Sequence, residues 1–157
     1  MKPAEGKTKA LEGAEPEALR QIVTFRVGEE VFGLEIGEVG EVIEYREVTP
    51  VPRAPDFVAG IISLRGTILP VIDLKVRFGM GPTEPGPETV ILVVNLEGRR
   101  VGLLADQILD ILKVSAEQTL KTQERKGPAA SEYVREMLKA GDRVVILLSL
   151  DRLIATE

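Results

Sequence analysis

The chain has 157 residues, no Cys, no His, and a formal net charge of -5 from 25 acidic and 20 basic residues. Zero Cys leaves no disulfide framework and no thiolate metal site, and zero His removes the commonest general base, metal ligand and phosphorylatable imidazole. Acidic charge with only 4% aromatic residues argues against a nucleic-acid surface, which needs basic side chains and stacking rings.

Neither a metal nor a cofactor is expected. A chain of this length holds one domain or two small, closely packed ones, with enough apolar material for a core. No run approaches a membrane span and the N-terminus lacks a signal-peptide core, so a cytoplasmic protein without direct membrane insertion is expected.

Residues 1–20, rich in Glu, Lys and Ala, read as a flexible leader, with the folded part spanning 21–154. Residues 21–27 alternate apolar and polar side chains, Gly28-Glu29-Glu30 turns the chain, and residues 31–36 return as a first hairpin. In residues 36–43, Ile36, Val39, Val42 and Ile43 sit at helical spacing, predicting a short helix. Gly37 and Gly40 weaken it by about 1 kcal/mol each. Residues 45–51 read as a strand ended by Pro50, Pro52 and Pro55. The central stretch, 59–74, holds two short apolar runs joined by Arg65-Gly66-Thr67, a hairpin whose turn fixes the place of Arg65. Pro70 has no N–H for a ladder, which predicts an edge, a bulge or a strand start, and hence a docking edge.

After the short segment 75–78, the Pro/Gly-rich residues 79–87 read as a boundary between two halves. Residues 89–95 are apolar on both faces, implying a central strand covered on both sides, followed by a Glu97-Gly98-Arg99 turn and a strand at 101–105. Residues 106–114 fit both a strand and a helical turn, and periodicity does not decide. Residues 115–127 read as polar loop. Residues 131–141 look helical by themselves, with a Ser131 cap and an apolar face of Tyr133, Val134, Met137 and Leu138, whereas 144–148 read as a buried strand.

A repeat overrides the helical reading. Laid without gaps on the central hairpin, Phe57-Val58 falls on Tyr133-Val134, Ile61-Ile62 on Met137-Leu138, and Arg65-Gly66 on Gly141-Asp142. The first hairpin likewise matches residues 89–105, with Gly28-Glu29-Glu30-Val31 on Gly98-Arg99-Arg100-Val101. Residues 132–140 are therefore predicted as a strand, since tertiary context overrides a short propensity signal. The expected fold is mainly β, with short helices and two small five-stranded barrels from an internal duplication, the first from residues 21–82 and the second from 83–154.

Residues 28–36, Gly60, Leu64-Arg65-Gly66, Pro70-Val71-Ile72-Asp73-Leu74, Val101-Gly102-Leu103, Gly141-Asp142-Arg143 and Leu150-Asp151-Arg152-Leu153 occur in the order and spacing of one family. On these motifs the chain resembles the CheW family of bacterial chemotaxis coupling proteins, from about 21 to 154. The resemblance implies SH3-like barrels and a non-catalytic adaptor that links chemoreceptors (methyl-accepting chemotaxis proteins) to the regulatory domain of the histidine kinase CheA. It carries receptor contacts, made with the cytoplasmic helical hairpin tip, to Val39, Glu41, Gly60, Arg65, Gly102, Ile108 and Ile111. Kinase contacts carry over to Val48 and Ile68. The sequence departs from the family at Gly37 and Gly40, where helix formers are usual.

From spacing alone, Arg65 is a solvated turn residue and Glu41 a solvated helix residue; the resemblance turns both toward a partner. Arginine makes planar, several-donor contacts across interfaces, and a rim carboxylate adds charge complementarity. By composition Val39, Ile108 and Ile111 belong to a core, and by resemblance to an exposed apolar groove. Gly60 and Gly102 permit close backbone approach or positive φ. Two other readings remain: the same module in another two-component pathway, and a carbohydrate-active enzyme using carboxylates, although nothing in the sequence places Asp73 and Asp106 together as a pair. The enzyme requires a deep acidic pocket, the adaptor a shallow apolar groove.

Overall fold

The computed structural model describes residues 19–115, 119–120 and 132–155. Strands β1 (Arg20–Val27) and β2 (Glu30–Glu35) form the first hairpin, and a 3-10 turn, Ile36–Glu38, leads into β3 (Val39–Glu44). The central hairpin is β4 (Val58–Leu64) and β5 (Thr67–Asp73), followed by α1 (Leu74–Arg77). Next come β6 (Val90–Leu96), β7 (Arg99–Ala105), β8 (Gln107–Val114), β9 (Thr119–Leu120), β10 (Val134–Ala140), β11 (Arg143–Leu148) and α2 (Leu150–Ile154). Residues 1–18 of the expected leader, the Ser131 cap and most of the 115–127 loop fall outside the described residues, and Arg20, expected in the leader, opens β1.

The strands form two sheets, ordered β8-β1-β2-β11-β10-β9 and β3-β6-β7-β5-β4. The fold is thus mainly β with few short helices, but each sheet draws strands from both sides of residue 82. Residues 21–82 and 83–154 therefore do not each build a barrel. The second sheet is one continuous stretch of chain, 39–105, and the first is assembled from the strands before and after it. The chain crosses between sheets at the 3-10 turn and again at Asp106. The Pro/Gly-rich segment 79–87 lies between β5 and β6 of the same sheet and is no boundary. It is pinned there by buried Asp73, whose carboxylate accepts from the Thr83 N–H at 2.9 Å and the Thr83 hydroxyl at 2.6 Å.

Helical propensity loses between residues 36 and 44. Only the 3-10 turn forms, and Val39–Glu44 pairs with β6. Its branched residues suit a pleated surface, and the glycines weaken the competing helix. The strand expected at 45–51 is a loop with a single bridge, Thr49 to Ile61, which covers part of the β4 edge. Strand β5 is internal, with β4 on one side and β7 on the other. Pro70 is accommodated because the parallel ladder with β7 runs only from Val71 to Asp73.

The repeat in the sequence has a counterpart in the strand pairing. Val58/Gly60 and Val134/Glu136 carry the same break in the β4–β5 and β10–β11 ladders, at positions that the ungapped repeat superposes. Residues 132–140 accordingly contain a strand. In the first hairpin the sequence alignment is displaced by one residue. Val27 pairs with Glu30 and Leu96 with Arg99, so Gly28-Glu29 corresponds to Glu97-Gly98. That register superposes Gly33 on Gly102, the two glycines at which each hairpin meets a parallel neighbour. A Cβ on Gly33 would lie 2.5 Å from Ile22 Cγ2 and one on Gly102 2.8 Å from Ile91 Cγ2.

Alternation along the central strands feeds three apolar layers. Val90, Leu92 and Val94 of β6 enter the core shared by the two sheets, with Val23, Phe25, Phe32, Leu34, Leu103 and Ile146. Ile91 and Val93 point the other way, into a core with Ile62, Leu64, Leu69 and Val71. Ile22, Leu138, Val145 and Leu147 make the matching layer of the first sheet. The doubly covered strand expected at 89–95 is β6. Both short helices close the shared core with Leu74, Phe78, Leu150 and Leu153.

Two glycine substitutions separate close packing from turn geometry. A Cβ on Gly60 (φ +153) would lie 2.1 Å from the Thr49 carbonyl oxygen, whereas one on Gly66 (φ +84) meets nothing within 4 Å. Gly60→Ala is expected to cost about 3 kcal/mol or more and Gly66→Ala about 1 kcal/mol. Urea denaturation checks this, and equal losses for the two variants would contradict the packing role of Gly60.

Candidate functional site

Arg65 and Gly66 both adopt positive φ, at 50° and 84°, in the two-residue turn between β4 and β5. This is the twist-matched turn that tight hairpins favour, usually with Asn or Gly where Arg65 stands. The Arg65 side chain is 67% exposed and its guanidinium pairs with Glu41 on β3. Arg100 of β7 reaches the same carboxylate oxygen at 3.6 Å. Beside this cluster Arg46 donates to the Ser63 carbonyl at 2.8 Å. These contacts tie β3 to the β4–β5 hairpin across the open side of the second sheet, where no ladder joins the two outer strands.

Apolar side chains of the outer strands are set by two bulges. Residues three apart on a regular strand face opposite sides. In β8, however, Ile108 lies opposite Phe25 and Ile111 opposite Val23, so the ladder gains a residue between them. Both then lie on the face of the shared core, Ile108 packed against it and Ile111 54% exposed. In β3 the extra residue is Gly40: Val39 lies opposite Val94 and Val42 opposite Leu92, again on the shared-core face. Val39 is half-buried against that core and Val42 is exposed. The duplication superposes Val39 on Ile108 and Val42 on Ile111.

The structure thus joins Glu41 to Arg65 and places Val39, Ile108 and Ile111 at the margins of one apolar layer. Gly60 and Gly102 are buried, and their immediate work is close packing. Val48 lies under Gly60 and leans on the second sheet's inner core. Ile68 is 66% exposed, on the other face of β5 from Leu69 and Val71. Sequence reasoning missed Val42 and Arg100. Val42 was assigned to a helix, and only the correct hairpin register reveals it as the counterpart of Ile111.

Asp73 and Asp106 do not make a carboxylate pair. Asp73 is engaged with Thr83 and with the Lys75 N–H at 3.0 Å. Asp106 accepts from the Gly28 N–H at 2.7 Å and lies 3.9 Å from Arg26. Asp106 borders an open cleft of about 620 Å³ whose lining mixes Glu29, Glu84 and Glu88 with Arg26 and Lys75. Among the described residues no group of three His, Cys, Asp or Glu is placed to hold a metal ion, and no helix is long and apolar enough to cross a membrane.

Asp110, in the β8 bulge, is the counterpart of Glu41. Its carboxyl is held below the usual range, first by the Thr24 hydroxyl and then by Arg143, both Nη2 contacts of which are 3.2 Å, against an opposing effect of burial. A carboxyl lowered in the folded state stabilises above its unfolded pKa of about 3.9 and loses that contribution as pH falls through the lowered value. The melting temperature of the parent protein should therefore fall more steeply than that of Asp110→Asn below about pH 4. Parallel acid limbs for the two proteins would contradict this.

The comparisons agree with the geometry. A family model described as CheW-like domain matches residues 21–157. The chain is 36% identical over 138 residues to the chemotaxis protein CheW of Rhizobium meliloti, covering 88% of this chain and 89% of that one. It is 34% identical over 138 residues to the chemotaxis protein CheW of Klebsiella aerogenes, covering 88% and 83% respectively. The crystal structure of the scaffolding protein TtCheW from Thermoanaerobacter tengcongensis matches with a TM-score of 0.79 and 32% identity, over 87% of this chain and 88% of that one. With its family model spanning both sheets and its relatives matched over most of their length, the chain belongs to the CheW-like domain family.

Proposed function

We propose that the protein is a non-catalytic chemotaxis adaptor that couples chemoreceptors to the histidine kinase CheA and passes receptor state to kinase activity. The observation that carries this reading is the occurrence of exposed apolar residues on the outer strands β3 and β8 together with an exposed arginine in the β4–β5 turn. Val39, Glu41, Arg65, Ile108 and Ile111 take the helical hairpin tip of the receptor's cytoplasmic part. Gly60 and Gly102 shape that surface by letting backbones approach. Apolar side chains supply the buried area, while Arg65 supplies direction through its several donors.

Val48 and Ile68 mark the face that takes the regulatory domain of CheA, itself a homologous module in the CheW resemblance. An isoleucine two-thirds exposed beside a tight turn is an anchor of the kind that fills a partner's pocket. Each sheet is read as an SH3-like barrel left open between its outer strands, and the protein acts in the cytoplasm. Its mechanism is bridging, with receptor conformation reaching the kinase through two sheets locked by one core.

Calorimetric titrations against a receptor hairpin fragment and against the CheA regulatory domain test both faces. Arg65→Glu should weaken receptor binding at least about tenfold, or about 1.4 kcal/mol, with little loss of fold stability. Ile68→Arg should weaken kinase binding by a similar factor and spare receptor binding. A folded Arg65→Glu protein that binds receptor as tightly as the parent removes Arg65 from the site. Absence of binding to either partner by the parent protein overturns the adaptor reading.

A further inference from the structure

The bulge that sets Ile108 and Ile111 on one face is fastened from the neighbouring strand. We infer that Thr24 is a positioning residue for the receptor surface, its buried hydroxyl clamping Asp110 in the β8 bulge and so holding Ile108 and Ile111 together on the face of the shared core, at its margin. The inference rests on the adaptor reading above.

Thr24 is completely buried in β1, on the face that also carries Ile22. A hydroxyl buried there without a partner costs about 1–3 kcal/mol, so its contacts matter. It accepts from the Asp110 N–H at 3.1 Å, lies 3.0 Å from the Asp110 carbonyl oxygen, and donates to the Asp110 carboxylate. An extra residue in a strand loses its place in the ladder, leaving backbone groups that need other partners. The Thr24 hydroxyl offers a donor and an acceptor where the ladder offers neither. Arg143 also holds the carboxylate, its Nη2 3.2 Å from each oxygen.

The second sheet reaches the same geometry by other means. Its bulge residue is Gly40, and a Cβ there would lie 2.9 Å from the Asn95 amide nitrogen and 3.4 Å from the Val93 carbonyl oxygen. One bulge is made by removing a side chain, the other by adding a hydroxyl. What the two share is the outcome, an apolar pair three residues apart on the face of the shared core. If the β8 bulge were lost, the register would slip and one of Ile108 and Ile111 would turn to the opposite face.

Thr24→Val keeps the size and removes the clamp, Thr24→Ser keeps the clamp, and Thr24→Ala serves if the valine variant does not fold. Each is titrated with a receptor hairpin fragment and with the CheA regulatory domain, and amide exchange is followed at Asp110 and Ile111. The expected result is a receptor affinity at least about tenfold weaker for Thr24→Val, a kinase affinity within about twofold of the parent, recovery by Thr24→Ser, and lost protection at Asp110 only without the hydroxyl. Unchanged receptor affinity in Thr24→Val, equal losses for both partners, or failure of Thr24→Ser to recover overturns the inference. Should the parent itself ignore the receptor fragment, the adaptor reading fails. Amide exchange then decides the clamp alone, and protection at Asp110 that survives in Thr24→Val overturns it.

Discussion

Phe25, Phe32, Phe78 and Tyr133 form a line of ring contacts that runs from β1 through β2 and the end of α1 to the start of β10, with centroids 6.4, 4.8 and 5.8 Å apart. The line lies in the apolar layer between the two sheets, and each sheet contributes one whole face to it. Because the first hairpin belongs to the same sheet as the last one, this layer cannot form until the ends of the folded chain meet. The two sheets therefore share one core rather than forming two barrels in a row. Truncating a ring such as Phe32 removes several contacts at once and belongs to the class of substitutions that cost about 3–5 kcal/mol.

A second tie works at the opposite end from the bulges. The Arg77 guanidinium lies 3.7 Å from the centre of the Phe57 ring and 5.1 Å from that of Tyr133, and it donates to the Arg152 and Ala155 carbonyls at the end of α2. Phe57 and Tyr133 are counterparts in the duplication, so one cation from α1 is held between equivalent rings of the two sheets. Contacts of that kind gain when water is excluded. Together with the aromatic line they keep the two outer strands, β3 and β8, at fixed places on the margins of the same core.

Strands whose two faces are both covered were legible in the sequence, because unbroken apolar runs such as residues 90–94, short and bounded by turn residues, suit a strand buried on both faces. Tight turns were legible too, and so was the match between the central hairpin and β10–β11. What escaped was long-range assembly. Alternation in a hairpin names its faces but not the sheet it joins, so the exchange of the first hairpin between halves left no local trace. The helical reading of residues 36–43 failed for a related reason. A bulge at Gly40 gives Val39 and Val42 a common face, which imitates helical spacing inside a strand. The same imitation made residues 106–114 ambiguous, where Ile108 and Ile111 flank the other bulge. The proposed site residues came from family motifs, whereas Val42, Arg100 and Thr24 required the pairing register.

The duplication also isolates what is particular to Arg65. In the first sheet the acid equivalent to Glu41 is Asp110, and its arginine is Arg143, at the start of β11 in ordinary strand geometry. An ion pair across the open side of a sheet therefore does not require an arginine in a turn. Arg65 instead occupies a left-handed position that costs a residue with a Cβ roughly 1 kcal/mol, and the acid it meets is also reached by Arg100. Glu97 bears the same strain in the β6–β7 turn, so strain alone marks no function. The adaptor proposal draws on the combination: a strained, two-thirds-exposed guanidinium whose structural task a second arginine shares would have donors left for a partner, with the Glu41 carboxylate aiming them.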